Sequence, residues 1–444
     1  MVINTLRILF IISNFLLLVI QTRKNDLFHY SVMKPLNLVS TSSSKSIISS
    51  IFLTKESPYC VLIPVCLGTP PQCFSFQLDS GSVGLWTTDE NRFTKAKGIS
   101  GFQKRNSSTY KSNNQLVELD YLTSTPITIK ATDTLQIGDF VIDNYPFYLG
   151  EGGIGANEKE GIFGFGGTIN DKDSFLKILQ TRNLIKKMIC SIYFPQYSDE
   201  GTFIIGRFPR EKIKNTENLG ICTKPTNISK LTITNWVCSF HSLFFNNTIR
   251  QNEVQTTFYI KNGYLDIDTG SNLFLVSFSL LSDIFKKYIF PITGTKCSLD
   301  IVGKRFYNIN CNEYFDINTI SDMFLQIGNF ELRIDKNDLF IKKTEYNSVR
   351  YTFLLATHLN YDYSIIGIPI LKKLLMVFDA EKEVTGFYSE NFIKKIKNEQ
   401  AEELIIYDYL NENIETKYIL LFLIVFLPIM SLLLLLSKYV LSKK

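Results

Sequence analysis

The chain has 444 residues, of which 45% are hydrophobic and 13% aromatic, and a formal net charge of +5. That length exceeds one ordinary domain, and the apolar content is enough for two folded cores, which excludes a disordered chain. The small positive excess is spread among acids, with no basic and aromatic interleaving, so nucleic acid is not expected as a partner.

In chain order, Leu6 to Ile20 is an apolar run interrupted only by Arg7, Ser13 and Asn14 and followed by Arg23 and Lys24, so residues 1–22 are expected to be a signal sequence. Val19-Ile20-Gln21-Thr22 lacks the small-residue cleavage pattern; the alternative is a retained N-terminal anchor. Ser40 to Ser46 has the composition of a solvated linker. Alternation predicts strands at Leu116–Leu119, Ile127–Ile137 and Thr202–Ile205. Asp173–Lys187 is expected to be a helix, with Phe175, Ile178, Leu179 and Leu184 on one side and Asp173 near its start. A second helix is expected over Ser277–Tyr288.

Two segments repeat one pattern: Phe76-Gln77-Leu78-Asp79-Ser80-Gly81-Ser82 and Tyr264-Leu265-Asp266-Ile267-Asp268-Thr269-Gly270-Ser271. Each has an apolar approach, an aspartate, a small hydroxyl residue, glycine and serine. An Asp-Ser-Gly alone is ordinary turn chemistry. Two copies in similar contexts suggest facing turns whose carboxylates, Asp79 and Asp268, share one proton and act as base and acid. Gly81 and Gly270 would allow close approach and unusual φ values. The hydroxyls of Ser80 and Thr269 would bond across to the opposing turn, and Ser82 and Ser271 would donate to the carboxylates.

These segments resemble the pepsin-like aspartic proteases, and the resemblance covers residues 58 to 389. Ile63-Pro64-Val65-Cys66-Leu67-Gly68-Thr69-Pro70-Pro71-Gln72 is similar to the first hairpin of that family, and Leu85-Trp86 follows the first turn as in the family. Ile162-Phe163-Gly164 and Ile365-Ile366-Gly367 match the apolar pair and glycine that pack beneath each catalytic turn. Val377-Phe378-Asp379 and Val384-Thr385-Gly386-Phe387 are similar to the closing hairpin. The richness in Asn, Lys, Ile, Phe and Tyr adds a resemblance to the plasmepsins of apicomplexan parasites.

The resemblance implies a mainly β, bilobal fold with a cleft between related lobes, residues 58–230 and 231–389, and one catalytic Asp from each. It implies an aspartic endopeptidase in which the Asp79 and Asp268 dyad activates a water against a peptide bond, with no covalent intermediate and no cofactor. Protein or peptide substrates and a monomeric enzyme are expected. Tyr121 matches the tyrosine of the flap that closes over substrate, and its phenol would bond to the indole N–H of Trp86. The flap tip departs from the family, with Leu122, Ser124 and Thr125 where glycines are usual and Pro126 close behind. Residues 23–57 occupy the place of a prosegment, whose Lys34, Lys45 and Lys55 would lie near the dyad. The alternative reading is an inactive relative that keeps the cleft to hold a peptide or protein. Such relatives usually lose an Asp or its glycine, and this chain keeps both.

The eight cysteines, Cys60, Cys66, Cys73, Cys190, Cys222, Cys238, Cys297 and Cys311, fit a disulfide-forming compartment. Sequence does not choose among their pairings; the local expectations are Cys66 with Cys73 and Cys297 with Cys311. No pair has zinc spacing, and His29, His241 and His358 stand alone, so no metal is expected. Asn106, Asn227 and Asn246 head glycosylation sequons. Residues 390–417 read as a charged stalk. Tyr418 to Leu436 carries no charge and is long enough to cross a membrane despite Pro428. Lys438, Lys443 and Lys444 place the tail, 437–444, in the cytosol and the protease domain in the lumen of the secretory pathway or outside the cell.

Overall fold

The computed structural model describes residues 46–54, 60–90, 101–119, 121, 125–154, 161–167, 172–195, 198–225, 236–249, 252–302, 306–345, 348–358 and 364–396. Within them the chain is mainly β. The described strands form two sheets, one of 13 strands and one of 11.

Each sheet contains the same local unit around its repeated motif. The strand Gln72–Asp79 runs parallel to Gly161–Phe165, with Leu78 beside Phe163 and Asp79 beside Gly164. Val83–Thr88 returns on the other side of Gly161–Phe165, antiparallel to it. In the second sheet, Asn252–Ile267 runs parallel to Ser364–Ile366, and Phe274–Leu275 flanks the latter antiparallel. The apolar-apolar-glycine segments are therefore the neighbours of both strands that carry the repeated motif. Their glycines are required by contact: a Cβ on Gly164 would lie 2.7 Å from the Ser82 carbonyl oxygen, and one on Gly367 2.4 Å from that of Ser271. The apolar residues of these strands fill the cores; Phe76, Leu78, Phe163, Phe165, Leu265, Ile267 and Ile366 are all fully buried, each contributing about 1.5–3 kcal/mol of transfer free energy.

The expected division at residue 230 is modified by the closing hairpin. Leu375–Asp379 pairs with Ile189–Tyr193, and Val384–Tyr388 pairs with Leu219–Thr223, so this part of the expected second lobe completes the first sheet. Phe378 packs against Phe165 at 5.3 Å and Trp236 at 5.0 Å between ring centroids, joining aromatics from distant segments. The disulfide Cys222–Cys238, which local spacing did not suggest, ties the strand Leu219–Thr223 of the first sheet to Val237–Ile249 of the second. The two local bridges, Cys66–Cys73 and Cys297–Cys311, form as expected across antiparallel partners.

The expected prosegment overlaps a structural strand. Ile47–Leu53 pairs with Glu200–Ile205 and with Val61–Leu67, alternating buried and exposed residues. Ile47 and Ile51 are fully buried, so residues 47–53 belong to the folded sheet.

Both predicted helices exist with altered limits. The first spans only Phe175–Thr181, preceded by Ser174 rather than Asp173, and ends where Asn183 takes a left-handed φ of 56°. The second begins as expected at Ser277, whose hydroxyl accepts from the Leu280 N–H at 3.3 Å. It runs past Tyr288 through a π-helical turn, Phe285–Ile289, and a final turn, Phe290–Thr293. Pro291 is tolerated there because it opens that last turn. The predicted strands lie within Lys111–Glu118, Thr125–Ile137 and Glu200–Ile205. No helix among the described residues is long and apolar enough to cross a membrane. The runs at 6–20 and 418–436, most of the stalk, the tail and the flap residues 122–124 lie outside the described residues.

Candidate active site

The two repeated turns meet. Ser80 Oγ donates to the Ile267 carbonyl at 2.7 Å and accepts from the Thr269 N–H at 2.9 Å. Thr269 Oγ1 donates to the Leu78 carbonyl at 2.9 Å and accepts from the Ser80 N–H at 2.9 Å. Both hydroxyls are fully buried, so these four bonds form a reciprocal lock between segments 189 residues apart. A buried polar group is stable only when bonded, and each hydroxyl here satisfies the backbone of the other turn.

The lock seats each aspartate against the opposing turn, Asp79 against Gly270 and Asp268 against Gly81. The glycines permit this, though for a different reason than expected. Neither has a positive φ; a Cβ on Gly81 would instead lie 2.5 Å from Asp268 Oδ1, and one on Gly270 would lie 2.5 Å from Asp79 Cγ. Each turn passes directly against the other's carboxyl, where no side chain fits.

The donors around the dyad are unequal. Asp79 accepts from the Gly81 N–H at 2.7 Å and from Ser82 Oγ at 2.8 Å, as expected. Asp268 accepts from the Gly270 N–H at 2.8 Å. Ser271, expected to donate to Asp268, turns its hydroxyl to the Leu273 carbonyl at 3.1 Å, forming a local turn with its own backbone. Burial of its carboxyl holds Asp268 well above the usual carboxylate range, and the charges of Asp79 and Asp266 and the bond to Asp79 add to this, against the Gly270 N–H.

Tyr121 packs beside Trp86, near enough to Asp79 to feel its charge. Its ring lies 6.3 Å from that of Trp86, inclined at 39°. Burial raises its phenol above the ordinary value, with the Asp79 charge adding to the rise and the Trp86 indole opposing it. The expected phenol to indole bond is approached but does not reach hydrogen-bond geometry, and Trp86 Nε1 has no other partner. The flap strands pair in register, Leu116 with Ile129 and Glu118 with Ile127, and carry the exposed apolar residues Leu116 and Ile127.

Two further residues that sequence reasoning did not single out act on the turns of the dyad. Gln77, nearly buried, donates from Nε2 to the Gly270 carbonyl at 2.6 Å. Asp266, also nearly buried, acts electrostatically on Asp268. Each stands two residues before the aspartate of its turn, and the available signal was a polar residue inside an otherwise apolar approach.

Comparison with known proteins agrees with this geometry. A family model described as eukaryotic aspartyl protease matches residues 60–389. Gastricsin of Cavia porcellus is 30% identical over 152 residues, 32% of this chain and 39% of that protein. Plasmepsin VIII of Plasmodium berghei is 26% identical over 164 residues, 35% of this chain and 44% of that protein. Pepsin A of Gallus gallus is 26% identical over 151 residues, 32% of this chain and 41% of that protein. The aligned part of the chain thus spans less than half the length of each of these relatives.

Proposed function

The chain belongs to the eukaryotic aspartyl protease family, and from that premise we propose that it is an active aspartic endopeptidase. The observation that carries the reading is the seating of the Asp79 and Asp268 carboxyls each against the other's turn, fixed by the reciprocal Ser80 and Thr269 bonds. The pair holds one proton. Burial and the neighbouring charges disfavour ionisation of Asp268, and Asp79 accepts from two donors, the Gly81 N–H and the Ser82 hydroxyl. Asp79 takes a proton from a water held between them as that water attacks the peptide carbonyl. Asp268 hydrogen-bonds to the developing oxyanion and then gives its proton to the leaving nitrogen as the C–N bond breaks, leaving the dyad with the one proton that Asp79 took from the water. Tyr121 and Trp86 form the wall that closes over the substrate.

The proposal extends to the setting. Residues 418–436 form a membrane span that tethers the enzyme, with the stalk and catalytic domain on the lumenal side and the tail in the cytosol. The exposed sequon Asn106 and Asn246 side chains are accessible to glycosylation there. A removable prosegment is placed before Ile47, a reading supported by the pairing of Ile47–Leu53 within the sheet. The enzyme acts as a monomer on protein or peptide substrates.

A fluorogenic peptide library assayed between about pH 4 and 7 tests the activity. Cleavage is expected in the wild type and is lost in both Asp79→Ala and Asp268→Ala, with folding retained. Wild-type rates in either variant would remove the mechanism, and a wild type that binds peptides without cleaving them would establish the inactive relative.

A further inference from the structure

Gln77 and Asp266 occupy equivalent places in the two halves of the fold. Residues two apart on a strand share a face. Gln77 lies beside Ile162 and Asp266 beside Ile365, the first apolar residue of each apolar-apolar-glycine segment. A strand entering a packed core usually places an apolar side chain at such a position. Here both are polar and nearly buried, Gln77 at 3% and Asp266 at 8% exposure. Gln77 contributes a neutral amide that braces the Gly270 carbonyl. Asp266 contributes a third carboxyl beside the dyad.

The groups around Asp266 define its effect. The residues paired with it on the flanking strands, Val237 and Ile365, carry no charge. Among the described residues, the titratable groups around the dyad include Asp268 just beyond its strand, Asp79 on the opposing turn, the Tyr121 phenol and Tyr148. Its charge acts on Asp268 and disfavours ionisation there.

We propose that Asp266 is a positioning residue that sets the alkaline limit of the reaction by acting electrostatically on Asp268. The inference rests on the reading of Asp79 and Asp268 as the catalytic pair. The dyad works only while Asp268 holds its proton, so a neighbouring negative charge extends activity toward neutral pH. Without it, the proton is lost at lower pH.

The test is the pH profile of kcat/KM in Asp266→Asn and Asp266→Ser. The alkaline limb is expected to move down by about one pH unit, so that above it either variant cleaves about tenfold more slowly than wild type. A merely structural role would lower the rate at all pH values and leave the limb in place, and an unmoved limb in whichever variant folds overturns the inference. A carboxyl-carbon NMR titration of Asp268 reads the same effect without catalysis. A lower midpoint in the variants supports the inference and an unchanged midpoint overturns it, even if no peptide is cleaved. A shifted midpoint together with an inactive wild type would overturn the proposed function alone. Should neither variant fold, Asp266→Gln and Asp266→Ala carry the same titration, and an ordinary carboxylate midpoint for Asp268 in the wild type overturns the inference outright.

Discussion

Replacing Gly270 by alanine places a methyl group against the opposing carboxyl. Its Cβ would lie 2.5 Å from Asp79 Cγ and Oδ1 and 2.8 Å from Oδ2. Ordinary contacts begin near about 3.5 Å, so the turns must separate by about 1 Å. Asp79 has little room to retreat, because the Gly81 N–H and Ser82 hydroxyl hold its two oxygens. The turn bearing the methyl group is itself held by Thr269. Overpacking of this kind costs about 1–3 kcal/mol, and a displacement of about 1 Å in a catalytic pair lowers the rate about 100-fold. The assay is kcat on a fluorogenic peptide, with thermal unfolding followed on the same preparation. Gly152→Ala is the control, since its Cβ would meet nothing within 4 Å, and its stability is expected within about 0.5 kcal/mol of wild type. A Gly270→Ala enzyme with kcat within a few-fold of wild type would refute the reasoning, because the turns would then not be held at the separation that excludes a side chain.

Thr269→Val removes one donor and one acceptor of the buried lock and is expected to cost about 3 kcal/mol in denaturant unfolding, whereas Thr269→Ser keeps both bonds and stays near wild type. A chain beginning at Ser46 should melt cooperatively. One beginning at Thr54 loses buried Ile47, Ile51 and Leu53, about 6 kcal/mol of burial, and should show no cooperative transition by circular dichroism. Because Asp268 holds its proton more tightly folded than unfolded, the folded state binds more protons between the usual value of 3.8 and the raised one. Its contribution to stability is therefore present below that window and lost as pH rises through it. Asp268→Asn should flatten this part of the stability curve and unfold at higher temperature than wild type at neutral pH; an equally steep curve would contradict the burial of that carboxyl.

The repeated turns, the apolar-glycine marks, the first hairpin with its disulfide and the start of the second helix were legible in the sequence. Each is encoded within a few residues. A glycine that excludes a side chain, a serine that caps a helix and cysteines facing across a hairpin state their constraint locally. The alternating strands were legible for the same reason, since burial on one face repeats every second residue, as in Ile47–Leu53. The pairing partners of that strand, Glu200–Ile205 and Val61–Leu67, are not visible from its own residues, so its place in the sheet is not legible locally.

The sequence by itself determined that two carboxylates sit on matching turns. Only the tertiary structure decided how they differ. Ser82 and Ser271 occupy equivalent places, yet one bonds to its aspartate and the other to its own backbone. Gln77 and Asp266 are equivalent as well, yet one braces the opposing turn and the other adds charge beside Asp268. The closing hairpin joins the sheet of the chain's first half, and Cys222 finds Cys238 on the other sheet. Local conformation follows from short-range sterics, which a sequence carries in each segment. Hydrogen bonds and electrostatic coupling depend on separations of a few ångströms between residues up to nearly two hundred positions apart, and those are fixed only when both sheets pack.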